Sequence, residues 1–273
     1  MNHRAYSLPV GIRTVSVDRS GYWLAAGWQD FLQAPVISIV YGGAFALLSI
    51  VLGYGVIAAD LGSLVLPLAG GFVLLAPILV VGLYDVSRRL ESGHAVGLHP
   101  AYSAFRENIG QLSAMGIVLM FIWFIWVEVA IFLFAIVYNR PPPPLENFIL
   151  EVPFTLEGAL LLSIGTLLGA GFALVIFAVT AVSIPMMFDR RVDVVTAIGA
   201  SILTVRANWQ VMFGWAALIA LVTACGIATF GLGLAVALPV LAYATWHCYR
   251  DLIAPPHQPH PTEPASAPLS DAI

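Results

Sequence analysis

Apolar runs alternate with short polar links along most of the chain, and each run is long enough to cross a hydrocarbon core of about 30 Å as a helix. Six runs are read: Pro35 to Ala58, Leu64 to Tyr84, Gln111 to Tyr138, Ala159 to Met186, Trp209 to Ile227 and Gly231 to Tyr249. Pro35 suits a helix's first turn. Pro67 and Pro77 fall inside the second run, where neighbouring groups must satisfy the freed carbonyls. The link from Asn139 to Glu157 carries Pro141 to Pro144, a stiff extended stretch no helix accommodates.

Three polar segments come before the outgoing runs, and each predicts a short surface helix. From Gly21 to Gln33, the aromatics Tyr22, Trp23, Trp28 and Phe31 alternate with Gln29, Asp30 and Gln33, which suits a membrane interface. The link 93–110 predicts a helix from near Pro100. From Val192 to Arg206, the apolar residues Val194, Val195, Ile198, Ile202, Leu203 and Val205 recur at helical spacing. The landmarks repeat. Arg106-Glu-Asn108 corresponds to Arg206-Ala-Asn208, and returning runs end in Tyr84-Asp85, Phe188-Asp189 and Tyr249-Arg250-Asp251. The expected fold is an all-α polytopic membrane bundle of six transmembrane helices, arranged as three hairpins each preceded by an interfacial helix. Its expected organisation is an N-terminal segment over residues 1–20, a membrane domain over 21–253 and a disordered Pro-, Ala- and Ser-rich tail over 254–273.

Composition agrees with lipid as the solvent: 60 % of residues are hydrophobic and 10 % charged, against roughly 45–50 % and 25 % in soluble domains. Charge adds an orientation. All basic residues are Arg, and ten of the eleven fall in four stretches, at Arg4, Arg13 and Arg19, at Arg88, Arg89 and Arg106, at Arg190, Arg191 and Arg206, and at Arg250. Arg140 sits alone beside Glu146, Glu151 and Glu157. Basic residues are retained on the inner side, so both termini are expected in the cytoplasm of a bacterial inner-membrane protein. The first residues lack the apolar stretch of a cleaved signal. A net charge of −4 argues against nucleic acid as a partner. The partners expected are the bilayer and another membrane protein complex. Cys225 and Cys248 fall in the fifth and sixth runs, near opposite faces, and read as packing residues rather than a disulfide.

The strings Gly82-Leu-Tyr-Asp85-Val-Ser-Arg-Arg89-Leu-Glu91-Ser-Gly93 and Ala244-Thr-Trp246-His247-Cys-Tyr249-Arg250-Asp251-Leu252 resemble the signatures of the DUF2189-type family. These are bacterial predicted integral membrane proteins of unestablished function, some labelled as a cytochrome c oxidase subunit I. The resemblance covers residues 20–253 and implies a membrane protein without implying a mechanism. The oxidase label fails on chemistry, because haem and copper need several His inside spans. The histidines are His3, His94, His99, His247, His257 and His260, and only His247 lies near the end of a run. Haem–copper catalysis is excluded; an accessory role is not. No paired-His metal motif, phosphate loop or nucleophile elbow is present, so no catalytic residue, metal or cofactor is assigned. His257 and His260 sit among the prolines of the tail.

Two groups of residues carry candidate chemistry. Glu128 is the one acid deep in a run, with Tyr54, Thr166 and Thr223 at similar depth. Together they predict a buried polar site, serving as a proton or cation relay or as a neutral acid bonded to a neighbouring helix. Asp85, Arg88, Arg89, Asp189, Arg190, Arg191, Arg250 and Asp251 are expected to converge at the cytoplasmic face. There they would bind a lipid phosphate or a partner, or serve as stop-transfer charge with local ion pairs. Three functions stay open: a non-enzymatic accessory or assembly component of a membrane complex such as a respiratory one, a small transporter or channel-like protein using Glu128, and a lipid-acting membrane enzyme.

Overall fold

A computed structural model describes residues 11–58, 79–107, 109–138, 152–190 and 192–255. The described chain forms ten α-helices: α1 (Arg19–Gln33), α2 (Pro35–Ala58), α3 (Val81–Glu91), α4 (Leu98–Glu107), α5 (Ile109–Val137), α6 (Leu156–Thr180), α7 (Ser183–Arg190), α8 (Val194–Ala207), α9 (Trp209–Ala228) and α10 (Leu234–Leu252). Among the described residues the only β pairing is an isolated antiparallel bridge between Ile12 and Ile253. Four stretches of helix are long and apolar enough to cross a membrane: Pro35–Gly55, Ile109–Val137, Leu156–Arg190 and Trp209–Ala228. They coincide with the first, third, fourth and fifth runs of the sequence. The second run falls outside the described residues up to its end, which leads into α3.

The sixth run, α10, differs from these four spans in its surroundings. It packs against α1, α2, α3, α7 and α9. Its first half is apolar, and its second half carries Trp246, His247, Tyr249, Arg250 and Asp251. Tyr243, Ala244, Trp246, Cys248, Tyr249 and Leu252 are all fully buried. The core therefore concentrates on α10, on α3 and on α7. The apolar spans are covered far less, α5 least of all. Lipid-facing spans bury little because hydrocarbon solvates their side chains as well as protein does.

Two glycines allow the close approach around α10. A Cβ on Gly27 of α1 would lie 2.6 Å from Val240 O and from Ala244 N. One on Gly42 of α2 would lie 1.9 Å from Ala235 O. Pro239, inside α10, has no N–H to offer that carbonyl four residues back. Gly42 therefore presents its Cα to an acceptor the helix itself leaves free, a contact only a residue without a side chain can make.

The surface helices predicted from sequence are α1, α4 and α8, with α1 corrected in one respect. Trp23 and Phe31 do not anchor it in an interface; they are buried against the protein, while Tyr22 and Trp28 point outward. Trp23, Gly27, Asp30 and Phe31 share one helical face, and that face lies on α10. α8 is capped by Asp193, whose carboxylate accepts from Thr196 N at 3.0 Å and Thr196 Oγ1 at 2.6 Å. Before α1 the chain is extended and pinned to the end of α10. Arg13 N donates to Leu252 O and Ala254 N to Gly11 O, both at 2.8 Å. Asn208 holds the same strand, accepting from Val15 N and donating to Arg13 O, each at 3.0 Å.

Candidate functional site

The polar half of α10 gathers most of the charged side chains singled out from sequence, and an indole ring lies at their centre. Trp246 stacks on Tyr84 of α3 at 6.3 Å between centroids, meets Phe188 of α7 edge-on at 6.0 Å and tilts against Tyr249 at 5.5 Å. Tyr84, Phe188 and Tyr249 are the aromatic landmarks that end the returning runs, so their acidic neighbours are drawn to the same end of the bundle. Each acid then finds partners of its own.

Asp85 is fully buried and is neutralised within α3, with Arg88 Nη2 and Arg89 Nε each at 2.6 Å. Arg88 also lies over the Phe188 ring, 4.5 Å from its centroid. Asp189 accepts from the Tyr249 hydroxyl at 2.6 Å. Arg190 donates to that hydroxyl at 2.9 Å and to the carbonyl of Ala254. Asp251 accepts a two-pronged bond from Arg19, at 2.8 and 3.0 Å, and the Trp23 indole N–H at 2.9 Å. Burial by itself would push the Asp251 carboxyl up, but the bonds from Arg19 and Trp23 outweigh it and hold it below the ordinary carboxylate range. Arg191 lies outside the described residues.

Sequence reading missed a fourth cluster, formed where α1, α3 and α10 meet. Asp30, 6 % exposed, accepts from Ser87 Oγ at 2.5 Å and lies 2.9 Å from His247 Nε2. A carboxylate oxygen only accepts, so Nε2 carries the hydrogen. The other ring nitrogen is 3.7 Å from Glu91, which also accepts from Trp246 Nε1 at 3.1 Å and pairs with Arg250 Nε at 3.3 Å. One signal could have found Asp30. It falls seven residues after Trp23 on the face with Gly27, an acid on a stripe otherwise made for packing.

Ser87 is fully buried and donates to Asp30, not to His247, so the imidazole is not placed to take the serine proton. Both nitrogens of His247 face carboxylates, which leaves neither free as an axial ligand. Among the described residues no three His, Cys, Asp or Glu side chains lie close enough to hold a metal ion. The result is a set of mutually satisfied ion pairs and hydrogen bonds tying α1, α3, α7 and α10 together.

The predicted buried site around Glu128 is not formed. Glu128, Tyr54 and Thr166 are exposed on α5, α2 and α6, and Thr223 is half-buried on α9. The reason lies in the packing of α5. Its inward stripe is Leu112, Met115 and Leu119, continued by Trp126 against Phe172 and Gly169 and by Leu133 near Gly165. Glu128 follows Trp126 by two residues, about 200° around the helix, and so points away from α6.

These features define the class: an all-helical integral membrane protein with several apolar helices and a polar knot at one end of its core. Residues 65–189 match the model of DUF2189, described as a predicted integral membrane protein, and over that segment the chain is similar to this family. The match supports the assignment read from sequence and gives no support to the cytochrome oxidase label. No curated protein and no solved structure matches the chain.

Proposed function

We propose that this protein is a non-enzymatic accessory or assembly component of a larger membrane complex, for example a respiratory one. Its proposed setting is the bacterial inner membrane, with both termini cytoplasmic and six spans arranged as three hairpins. The observation that carries this reading is the mutual satisfaction of the polar residues around Trp246. Asp30, Asp85, Asp189 and Asp251 each hold internal partners, which is the pattern of a scaffold rather than of a reaction centre. The exposed polar groups on α2, α5 and α6 speak against an internal relay, because a relay needs its groups facing one another. The Arg-rich end of the bundle, with Arg88 and Arg250 still partly open, supports the cytoplasmic placement and a contact with anionic headgroups.

The test is gentle solubilisation of native membranes followed by size separation and subunit identification. The expected result is a stoichiometric assembly with subunits of one other membrane complex, whose yield falls when this protein is deleted. Purified protein that conducts ions or protons in liposomes, with no associated complex in native membranes, would overturn the reading in favour of transport.

A further inference from the structure

Glu128 is out of place on the surface where the structure puts it. α5 is 29 residues long, so its middle is Trp123. Glu128 then lies about 7 Å from the centre of the span and about 7 Å inside the edge of a 30 Å hydrocarbon layer. That is too deep for a short acid to reach water along its own helix. Its neighbours on the outward stripe are Ile117, Phe121, Phe124, Ile131 and Phe132, all at least half exposed. α5 is also the least covered of the four apolar spans. Among the described residues Glu128 has no hydrogen-bond partner, and a carboxyl without one in lipid strongly disfavours the inserted state.

We propose that this stripe of α5 is a homodimer interface, in which two copies cross at Glu128 and their protonated carboxyl groups pair. The occupant is a second copy because of what the carboxyl requires. A protonated carboxyl has one donor and free acceptor capacity, so two of them satisfy each other through a pair of O–H···O bonds. A twofold axis through the crossing point brings like residue to like residue, and it does so at a single depth. The apolar spans α2, α6 and α9 carry no Arg, His, Asp or Glu except Glu157 at the start of α6. A second copy therefore offers no cation at that depth, and the matching group it does offer is Glu128 itself. The isoleucines and phenylalanines on either side provide apolar contact that is equally self-complementary. This interface stands or falls independently of the accessory role.

The experiment uses the full-length protein in liposomes over a range of protein-to-lipid ratios. Energy transfer between copies labelled at the exposed Cys225 reports association. Wild type is expected to associate saturably. Glu128→Gln should associate similarly, since an amide also donates and accepts, and Glu128→Leu should need at least a tenfold higher density. Because Glu128→Leu could alter folding, a second arm leaves Glu128 intact. In a Cys225→Ser background, Phe124→Cys should cross-link between copies and Leu221→Cys, on the exposed face of α9, should not. Monomeric wild type at every density, unchanged association of folded Glu128→Leu, or equal cross-linking at 124 and 221 would each overturn the proposal. So would a wild-type protein that associates only with a different membrane subunit.

Discussion

Asp251 shows how one side chain couples parts of the chain more than two hundred residues apart. Arg19 and Trp23 bind it from α1, and it stands at the end of α10. Its carboxyl is held below the ordinary range, so the stabilisation it gives is complete above that range and is lost as pH falls through the lowered value. Replacing Asp251 with Asn should lower the unfolding temperature near neutral pH by the equivalent of roughly 1 kcal/mol, a modest figure because Arg19 is open to water. The gap between wild type and variant should then close as pH drops below about 4, near the ordinary carboxylate value. A gap that widens in acid would contradict the assignment. Trp246 is the heavier contributor: Trp246→Ala removes a buried ring from contact with three others and should cost about 3–5 kcal/mol in a thermal unfolding assay. Neither role could be read from sequence. Asp251 and Trp246 look there like the charged, aromatic end of an ordinary span, and their partners are far away along the chain.

At the scale of elements, helix extents were legible and helix surroundings were not. Hydropathy located α2, α5, α6 and α9 because length and apolar content are local properties. It also gave the expectation of a sixth span over Gly231 to Tyr249, whose first half is apolar. What separates α10 from the others is that its apolar half is covered by protein on several sides, a property of neighbours and not of composition. The same limit explains Glu128. Sequence places it within an apolar run and could not say which way it faced, because the inward stripe of α5 is set by the positions of Gly165 and Gly169 on α6. The contact of α2 with α10 gives a direct check. Gly42→Ala drives a methyl into Ala235 O and should destabilise the protein by about 1–3 kcal/mol. Gly43→Ala, next to it but facing open space, should be nearly silent or slightly stabilising. Equal losses at the two positions would mean that α2 does not approach α10 through Gly42.

For the whole molecule, the gathering of the arginines predicts an orientation. Reporter fusions after Ser92, Asp193 and Leu252 are expected to read cytoplasmic, and a fusion at Leu145 external; an external reading at Asp193 would reverse the placement of Arg190 and the helices it joins. The central position of α10 also bears on how the protein is made. α10 follows every other described helix in the chain, yet α1, nearly at the start, has its main packing partner there. At about 5–20 residues per second of synthesis, α1 and α2 wait on the order of 10–40 s in the membrane before the surface they fit exists. During that interval Gly27, Gly42 and the indole of Trp23 have no protein to meet, and the extended strand at Gly11–Arg13 has nothing to pair with. The nascent chain is thus an incomplete ring whose missing piece arrives last, the stage at which a membrane chaperone or quality-control protease would find the most to recognise.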